Sequence, residues 1–384
     1  MPWKETCSME ERLKFLTDYL KGHWSVAHLC RQYAISRKTG YKWLARYEAE
    51  GWAGLQERSR APQTHPQATP ATIQARLVQL RLQHPHWGPR KLLARLAQQA
   101  PQTVWPAVST GGAILKRHGL VTPRRYRRRT PVAPVALRAG RHPNDVWATD
   151  FKGWFRTQDG TRIDPLTISD WASRYLVCCQ RVAHPTWAAV QPVFVAAFRE
   201  FGLPVAIRSD NGPPFASIGL GGLSRLAVWW LRLGILPERI QPGHPEQNGR
   251  HERLHRTLKQ ATAQPPQRTA QGQQRAFTRF QAEYNQERPH EALAMHTPAQ
   301  CYQPSPRPYP RRLPDMEYGA AYTVRRVRST GEIKWQGRRL FLSEALVGEP
   351  VGLQEMDDDV WQIEFGPLPL ALYHTYTQEF IRLA

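Results

Sequence analysis

Three stretches that cannot contribute to a core interrupt this chain of 384 residues, and they restrict it to several modules rather than one large domain. RSRAPQTHPQATP at 58–70 is Pro-rich and nearly free of apolar side chains. VTPRRYRRRTPVAP, within 121–143, places five Arg in the six positions 124–129, and QPSPRPYPRRLP at 303–314 is stiff, basic and extended in character. Such segments order too much chain for too little burial, so all three read as linkers.

The segments they delimit carry different periodicities. In 1–57, Leu13, Leu16 and Leu20 form one helical stripe, and Val26, Leu29, Tyr33 and Ile35 precede a second. Ser25 is placed to cap one helix, Ala34 and Ile35 to turn, and Ser36 to cap RKTGYKWLARYEAEG, which predicts a helix-turn-helix. Its second helix would offer Arg37, Lys38, Thr39 and Lys42 to a DNA major groove and turn Tyr41, Leu44 and Tyr47 inwards. An ordinary helical pair with a solvated basic face is the competing interpretation. Residues 71–120 repeat the helical pattern as a second helix-turn-helix, its last helix capped by Ser109 and ended by Gly119. The following Arg124, Arg125, Arg127, Arg128 and Arg129 are expected to lie along phosphates.

Composition points to the same kind of partner. A formal net charge of +22 and a pI near 10.3 create a field that attracts polyanions and releases counterions from nucleic acid. A membrane surface would need an apolar device; MPWKETCSMEERLKF has no signal-peptide core, and LAVWWLRLGIL is short and carries Arg232. A cytoplasmic, nucleoid-associated DNA-binding protein is expected. The five cysteines at 7, 30, 178, 179 and 301 contain no Cys-x-x-Cys pair and read as reduced thiols, and His23, His28 and Cys30 match no common zinc spacing.

From Asn144 the pattern becomes that of strands. VWATDFKGWF and RIDPLTISDWASRYLVCCQRV predict three antiparallel strands, TWAAVQPVFVAAFREFG an amphipathic helix, and VAIRSD a further strand. Asp150 and Asp210 would then fall on neighbouring strands, facing one site. A third carboxylate, Glu252, lies in HPEQNGRHERLHRTLK, on a helix whose Leu254 and Leu258 form a buried stripe while Glu252, Arg256 and Lys259 recur on another face. Glu246 is the rival third ligand, on a less rigid loop platform. Three carboxylates so placed can hold two Mg²⁺ (or Mn²⁺) ions about a scissile phosphate, activating the attacking oxygen and stabilising the leaving one.

Trp147-Xaa-Xaa-Asp150, Ser209-Asp210-Asn211-Gly212 and Asn248-Gly249 followed by Glu252 stand in the order that marks DDE insertion-sequence transposases, and the chain resembles that family over nearly its whole length. Tyr284-Asn285, Arg288-Pro289-His290 and Thr297-Pro298-Ala299 resemble the end of its catalytic domain. The resemblance implies an α/β RNase H-like, integrase-type core at 144–302 behind all-α helix-turn-helix modules, with a small all-β barrel at 315–384 that binds DNA or bridges subunits. It implies Asp150, Asp210 and Glu252 as catalytic metal ligands and Lys259, joined by Arg256, as contacts to the DNA end. The implied reaction is hydrolysis at the terminal inverted repeat followed by attack of the freed 3′-hydroxyl on target DNA, by a homodimer or higher homo-oligomer on double-stranded DNA. A sequence-specific regulator with an inactive RNase H-like domain is the alternative, and a simple nuclease a third. One departure is Pro213-Pro214, where the family often carries Glu two residues after Asn-Gly.

Overall fold

The computed structural model describes residues 7–59, 68–121, 137–217, 219–241 and 244–382, which divide into two compact units, 1–68 and 69–384. In the first unit α1 (Ser8–Leu20), α2 (Val26–Gln32) and α3 (Arg37–Glu50) close on Phe15, Leu16, Leu29, Cys30, Trp43 and Leu44. Both serines cap: Ser25 Oγ accepts from His28 N–H and Ser36 Oγ from Thr39 N–H, satisfying amides the helices leave unpaired. Ala34 makes the turn between them with φ of 51°. Gly40 lets α3 cross α2 closely, since a Cβ there would stand 2.5 Å from Cys30 Sγ. Tyr41 corrects the expectation. The inward stripe runs through Gly40, Trp43, Leu44 and Tyr47, so Tyr41 falls outside it and is 58% exposed.

The second unit begins with α4 (Ala71–Gln83), α5 (Pro89–Gln99) and α6 (Val108–Arg117) around Leu77, Trp87, Leu92, Leu96 and Ile114. Gly119, at φ of 70°, ends α6 as expected. Ser109 does not cap it. The chain enters the helix at Ala107, which leaves Ser109 exposed within the first turn. This bundle is not free-standing: His84 Nδ1 lies 3.0 Å from Glu283 Oε1, Arg90 pairs with Glu291 at 3.2 Å, and Gln98 Nε2 donates to Met295 O.

The central sheet contains β1 (Val146–Phe151), the short β2 (Phe155–Arg156), β3 (Arg162–Asp170), β4 (Leu176–Val182), β5 (Ala206–Ser209) and β6 (Leu236–Arg239). β4, β3 and β1 pair antiparallel in that order, and β1, β5 and β6 continue in parallel. Strand alternation assigns its two faces. Trp147, Leu166, Ile168 and Ile207 pack under α7 (Trp187–Phe201) and α8 (Arg225–Arg232), while Ile163 and Cys179 pack under α9 (Gly249–Thr262) and α10 (Ala270–Gln286). The result is an α/β RNase H-like core. Asn285 clamps the β4 edge, accepting from Leu176 N–H at 2.8 Å and donating to Leu176 O at 2.9 Å. β6 was not among the expected strands, because LPER shows no period of its own and is extended only by pairing with β5.

Seven short strands complete the chain: β7 (Thr323–Arg326), β8 (Glu332–Trp335), β9 (Arg338–Phe341), β10 (Pro350–Asp357), β11 (Val360–Phe365), β12 (Leu368–His374) and β13 (Glu379–Arg382). They form an antiparallel sheet, β13-β12-β11-β10-β7, and a hairpin, β8-β9, around one core. The turns between them carry positive φ at Gly331, Gln336, Gly337 and Asp359. What differs is the attachment. Leu220, Leu223, Ala227, Val228 and Leu231 belong to this same β core, while Leu226, Trp229 and Trp230 face the central sheet. Helix α8 is therefore apolar all round because it lies between two cores. The 303–314 segment is extended, as expected, but it is a packed strap rather than a spacer. Arg307 donates to Pro204 O and Leu233 O, Leu203 N–H donates to Arg307 O, and Tyr309 and Leu313 sit on the sheet core.

Candidate active site

Register alone brings two of the three motif carboxylates together. Ala148 on β1 and Arg208 on β5 are parallel partners, so Asp150 and Asp210, each two residues further on, emerge on the same face at the carboxyl ends of adjacent strands. Beyond Asp210 the chain turns back: Gly212 N–H donates to Asp210 Oδ1 at 3.2 Å, and Phe215 anchors the turn in the core beside Phe151. Helix α9 lies over this face through Leu254 and Leu258 and presents Glu252, in its first turn, with Arg256 and Lys259 on its exposed side.

The electrostatics record the convergence. Burial lifts the Asp150 carboxyl from 3.8 to about 7, and the charges of Asp210 and then Glu252 push in the same direction. Burial also raises Asp210, against the Gly212 hydrogen bond. Among the described residues no group of three or more His, Cys, Asp or Glu is already arranged to hold a metal ion. Crowded carboxylates with hard oxygen donors nonetheless fit a divalent cation, whose charge would relieve the repulsion. Glu246 lies in the single turn Pro245–Asn248, and its side chain is outside the described residues. Asp164 and Asp170 are buried but structural, the first paired with Arg162 at 2.7 Å and the second accepting from Asn144 and Ser173.

Sequence reasoning missed the groups that hold Asp150. Thr167 is its register partner on β3, so their side chains share the α9 face. Thr167 Oγ1 lies 3.2 Å from Asp150 O, 2.6 Å from His251 Nε2 and 2.7 Å from His255 Nε2. A hydroxyl has one proton and two lone pairs, so all three contacts are satisfied when Thr167 donates to the Asp150 carbonyl and both imidazoles donate through Nε2–H. His251 Nδ1 then accepts from Ser169 Oγ at 3.2 Å, and His255 Nδ1 faces Asp150 Oδ2 at 3.8 Å. Burial lowers both histidines, His251 to about 3 and His255 to about 2. They are neutral at physiological pH, and the 3.8 Å approach is not an ion pair. The available signal was the i, i+4 spacing of His251 and His255 on either side of Leu254. Lys152 was also missed; burial first, then the charge of Lys259, lowers its ammonium pKa.

The remaining predicted contacts are dispersed. Arg37, Lys38 and Lys42 are exposed on α3 with Thr39 half-buried beside them, in the separate N-terminal unit. Arg124, Arg125, Arg127, Arg128 and Arg129 lie outside the described residues.

Comparison with known proteins is consistent along the chain. Integrase core domain models match residues 140–245 and 233–298, a helix-turn-helix domain matches 11–63 and a homeodomain-like domain matches 39–115. The 39.2 kDa uncharacterized protein of insertion element IS476 from Xanthomonas euvesicatoria is 30% identical over 274 residues, which cover 70% of this chain and 75% of that one. The chain belongs to the insertion-sequence transposase family with an integrase-like core. A second family member, the uncharacterized 31.7 kDa protein of IS407 from Burkholderia multivorans, is 27% identical over 235 residues, 59% of this chain and 79% of its own. Among solved structures, a chain of the simian T-cell lymphotropic virus intasome in complex with PP2A regulatory subunit B56 gamma aligns over 76% of this transposase-family chain and 97% of its own, at 18% identity and a TM-score of 0.38. None of the described helices is long and apolar enough to cross a membrane.

Proposed function

We propose that this chain binds the terminal inverted repeats of its own element, cleaves the element ends and transfers them into target DNA. The observation that carries the proposal is the convergence of Asp150, Asp210 and Glu252, expressed in the elevated pKa of Asp150. Asp150 and Asp210 on strand ends and Glu252 on α9 would hold Mg²⁺ or Mn²⁺, two ions per site. When bound, such ions activate the attacking oxygen and neutralise charge on the leaving one. Thr167, with His251 and His255 behind it, holds the Asp150 backbone in register. Arg256 and Lys259, on the same exposed face of α9 as Glu252, take DNA phosphates, and Arg37, Lys38, Thr39 and Lys42 reach base edges from the N-terminal unit.

Each chain supplies one carboxylate triad, so joining two element ends requires at least a dimer on DNA, in the cytoplasm of the host cell. Residues 1–57 and 71–120 serve end recognition, 144–302 the chemistry, and 315–384 further DNA or subunit contacts. The triad is intact, which disfavours a regulator with an inactive core. The test is strand transfer of labelled element ends into plasmid with Mg²⁺. Asp150→Asn, Asp210→Asn and Glu252→Gln proteins are each expected to lose cleavage and joining while retaining end binding. Full joining by the Glu252→Gln protein would remove Glu252 from the site, and loss by Glu246→Gln alone would install Glu246 instead.

A further inference from the structure

A cavity of about 150 Å³ opens beside the carboxylates, between the loop leaving β1 and the second half of α9. Phe155, Leu258 and Phe277 form its apolar wall, and Lys152 and Lys259 bring two cations to it. Trp154, also in the lining, is 57% exposed, with the Arg162 guanidinium 5.1 Å and the Arg156 guanidinium 6.0 Å from its ring. An exposed indole among cations beside a slot is a combination that stacking on bases and holding phosphates both use. The volume is about that of a cavity that admits a benzene-sized ring. Lys152 follows Asp150 by two residues, which places the slot next to that carboxylate along the chain.

We propose that this cavity receives one unstacked nucleobase of the DNA strand engaged at Asp150 and Asp210, its ring against Trp154 and Phe155 and its flanking phosphates on Lys152 and Lys259; this rests on the strand-transfer reading. In a duplex the phosphates lie outside and the bases are stacked within, so a base reaches the cavity only when it is drawn out of the stack. Contact with the aromatic rings of the cavity replaces part of the stacking that this base loses, and the two lysines hold the phosphates on either side of it. The cost is least at a frayed duplex end, where an element end is processed.

Short duplexes of the element-end sequence, with 2-aminopurine at successive positions about the cleaved phosphate, report this without divalent metal. Bound to the full chain, one position is expected to depart from the emission of free duplex while its neighbours keep theirs. Trp154→Ala, and Ala263→Phe, which fills the cavity from its half-exposed wall, should abolish that signal, retain end binding in gel shift and slow joining about 10-fold, whereas Trp154→Phe retains the signal. Emission unchanged at every position, or the same response in the Trp154→Ala and Ala263→Phe proteins as in wild type, overturns the proposal. A position-specific signal from a wild-type protein that cleaves no element end with Mg²⁺ would strike the strand-transfer reading and leave the cavity standing. Normal cleavage and joining by both variants would strike the cavity alone.

Discussion

Asp150→Asn tests whether the site is built at the expense of the fold. Burial and the charges of Asp210 and Glu252 hold the Asp150 carboxyl at about 7 against 3.8 for the free side chain. At about 1.4 kcal/mol per pKa unit, the folded state carries a penalty of about 4 kcal/mol once the group is ionised, if nothing relaxes. A side chain still 19% exposed keeps some hydration, which brings the figure towards about 2 kcal/mol. The sign follows from proton counting. Below about pH 4 folded and unfolded chains both hold the proton and the term vanishes. Between 3.8 and about 7 the unfolded chain releases it while the folded chain keeps it, so stability falls as pH rises, and above about 7 the whole penalty stands. Asn carries no such term. The Asn protein should therefore melt several degrees above wild type at about pH 8, at roughly 2–4 °C per kcal/mol, with the gap closing towards about pH 4. Mg²⁺ should raise the wild-type melting temperature and leave that of the variant nearly unchanged. Calorimetry of both proteins across this range decides it; equal melting at about pH 8, or a gap that widens on acidification, would show that Asp150 is not held under charge repulsion.

Thr167→Val leaves two buried imidazole N–H groups unpaired at about 1–3 kcal/mol each and removes the hydroxyl donor from the Asp150 carbonyl, so its melting temperature should drop well below that of Thr167→Ser, which keeps the hydroxyl; equal melting would dissolve the network. Lys38→Ala should weaken binding to element ends by about 1–3 kcal/mol while changing affinity for random duplex much less, whereas an equal loss on both would move Lys38 from base edges to phosphates. A chain truncated after Pro314 should aggregate, because it uncovers the side of α8 formed by Ala227, Val228 and Leu231; a soluble, cooperatively melting fragment would show the β unit to be separable.

Much of this was legible in local chemistry. Ser25 and Ser36 are short side chains with an acceptor oxygen ahead of apolar helical stripes, and both cap. Gln336-Gly337 and Asp359 sit where hairpins need positive φ. Where the reading failed, the deciding information was not local. Tyr41 and Trp43 are equally apolar in a list, and only the close crossing at Gly40 assigns the inward phase. Ser109 is as good a cap as Ser36, yet the chain enters α6 two residues earlier. Leu236–Arg239 is a strand only because β5 offers it an edge.

The sequence by itself determined the classes of element, the three motif carboxylates and the positive field, because propensity, capping, periodicity and charge are properties of residues and their near neighbours. It placed Asp150 and Asp210 on separate strands, and the alternation of side chains already specified that a parallel pairing would aim both the same way. Tertiary structure alone decided that β1 and β5 are the strands that pair, and with what register. It set Thr167 across from Asp150 and drew His251 and His255 onto one hydroxyl, converting two ordinary histidines into supports of the site. It also turned the Pro-rich segment at 303–314 into a strap and gave α8 two cores to separate. Those outcomes depend on contacts between residues tens to hundreds of positions apart, and no local pattern encodes which distant surface a given side chain will meet.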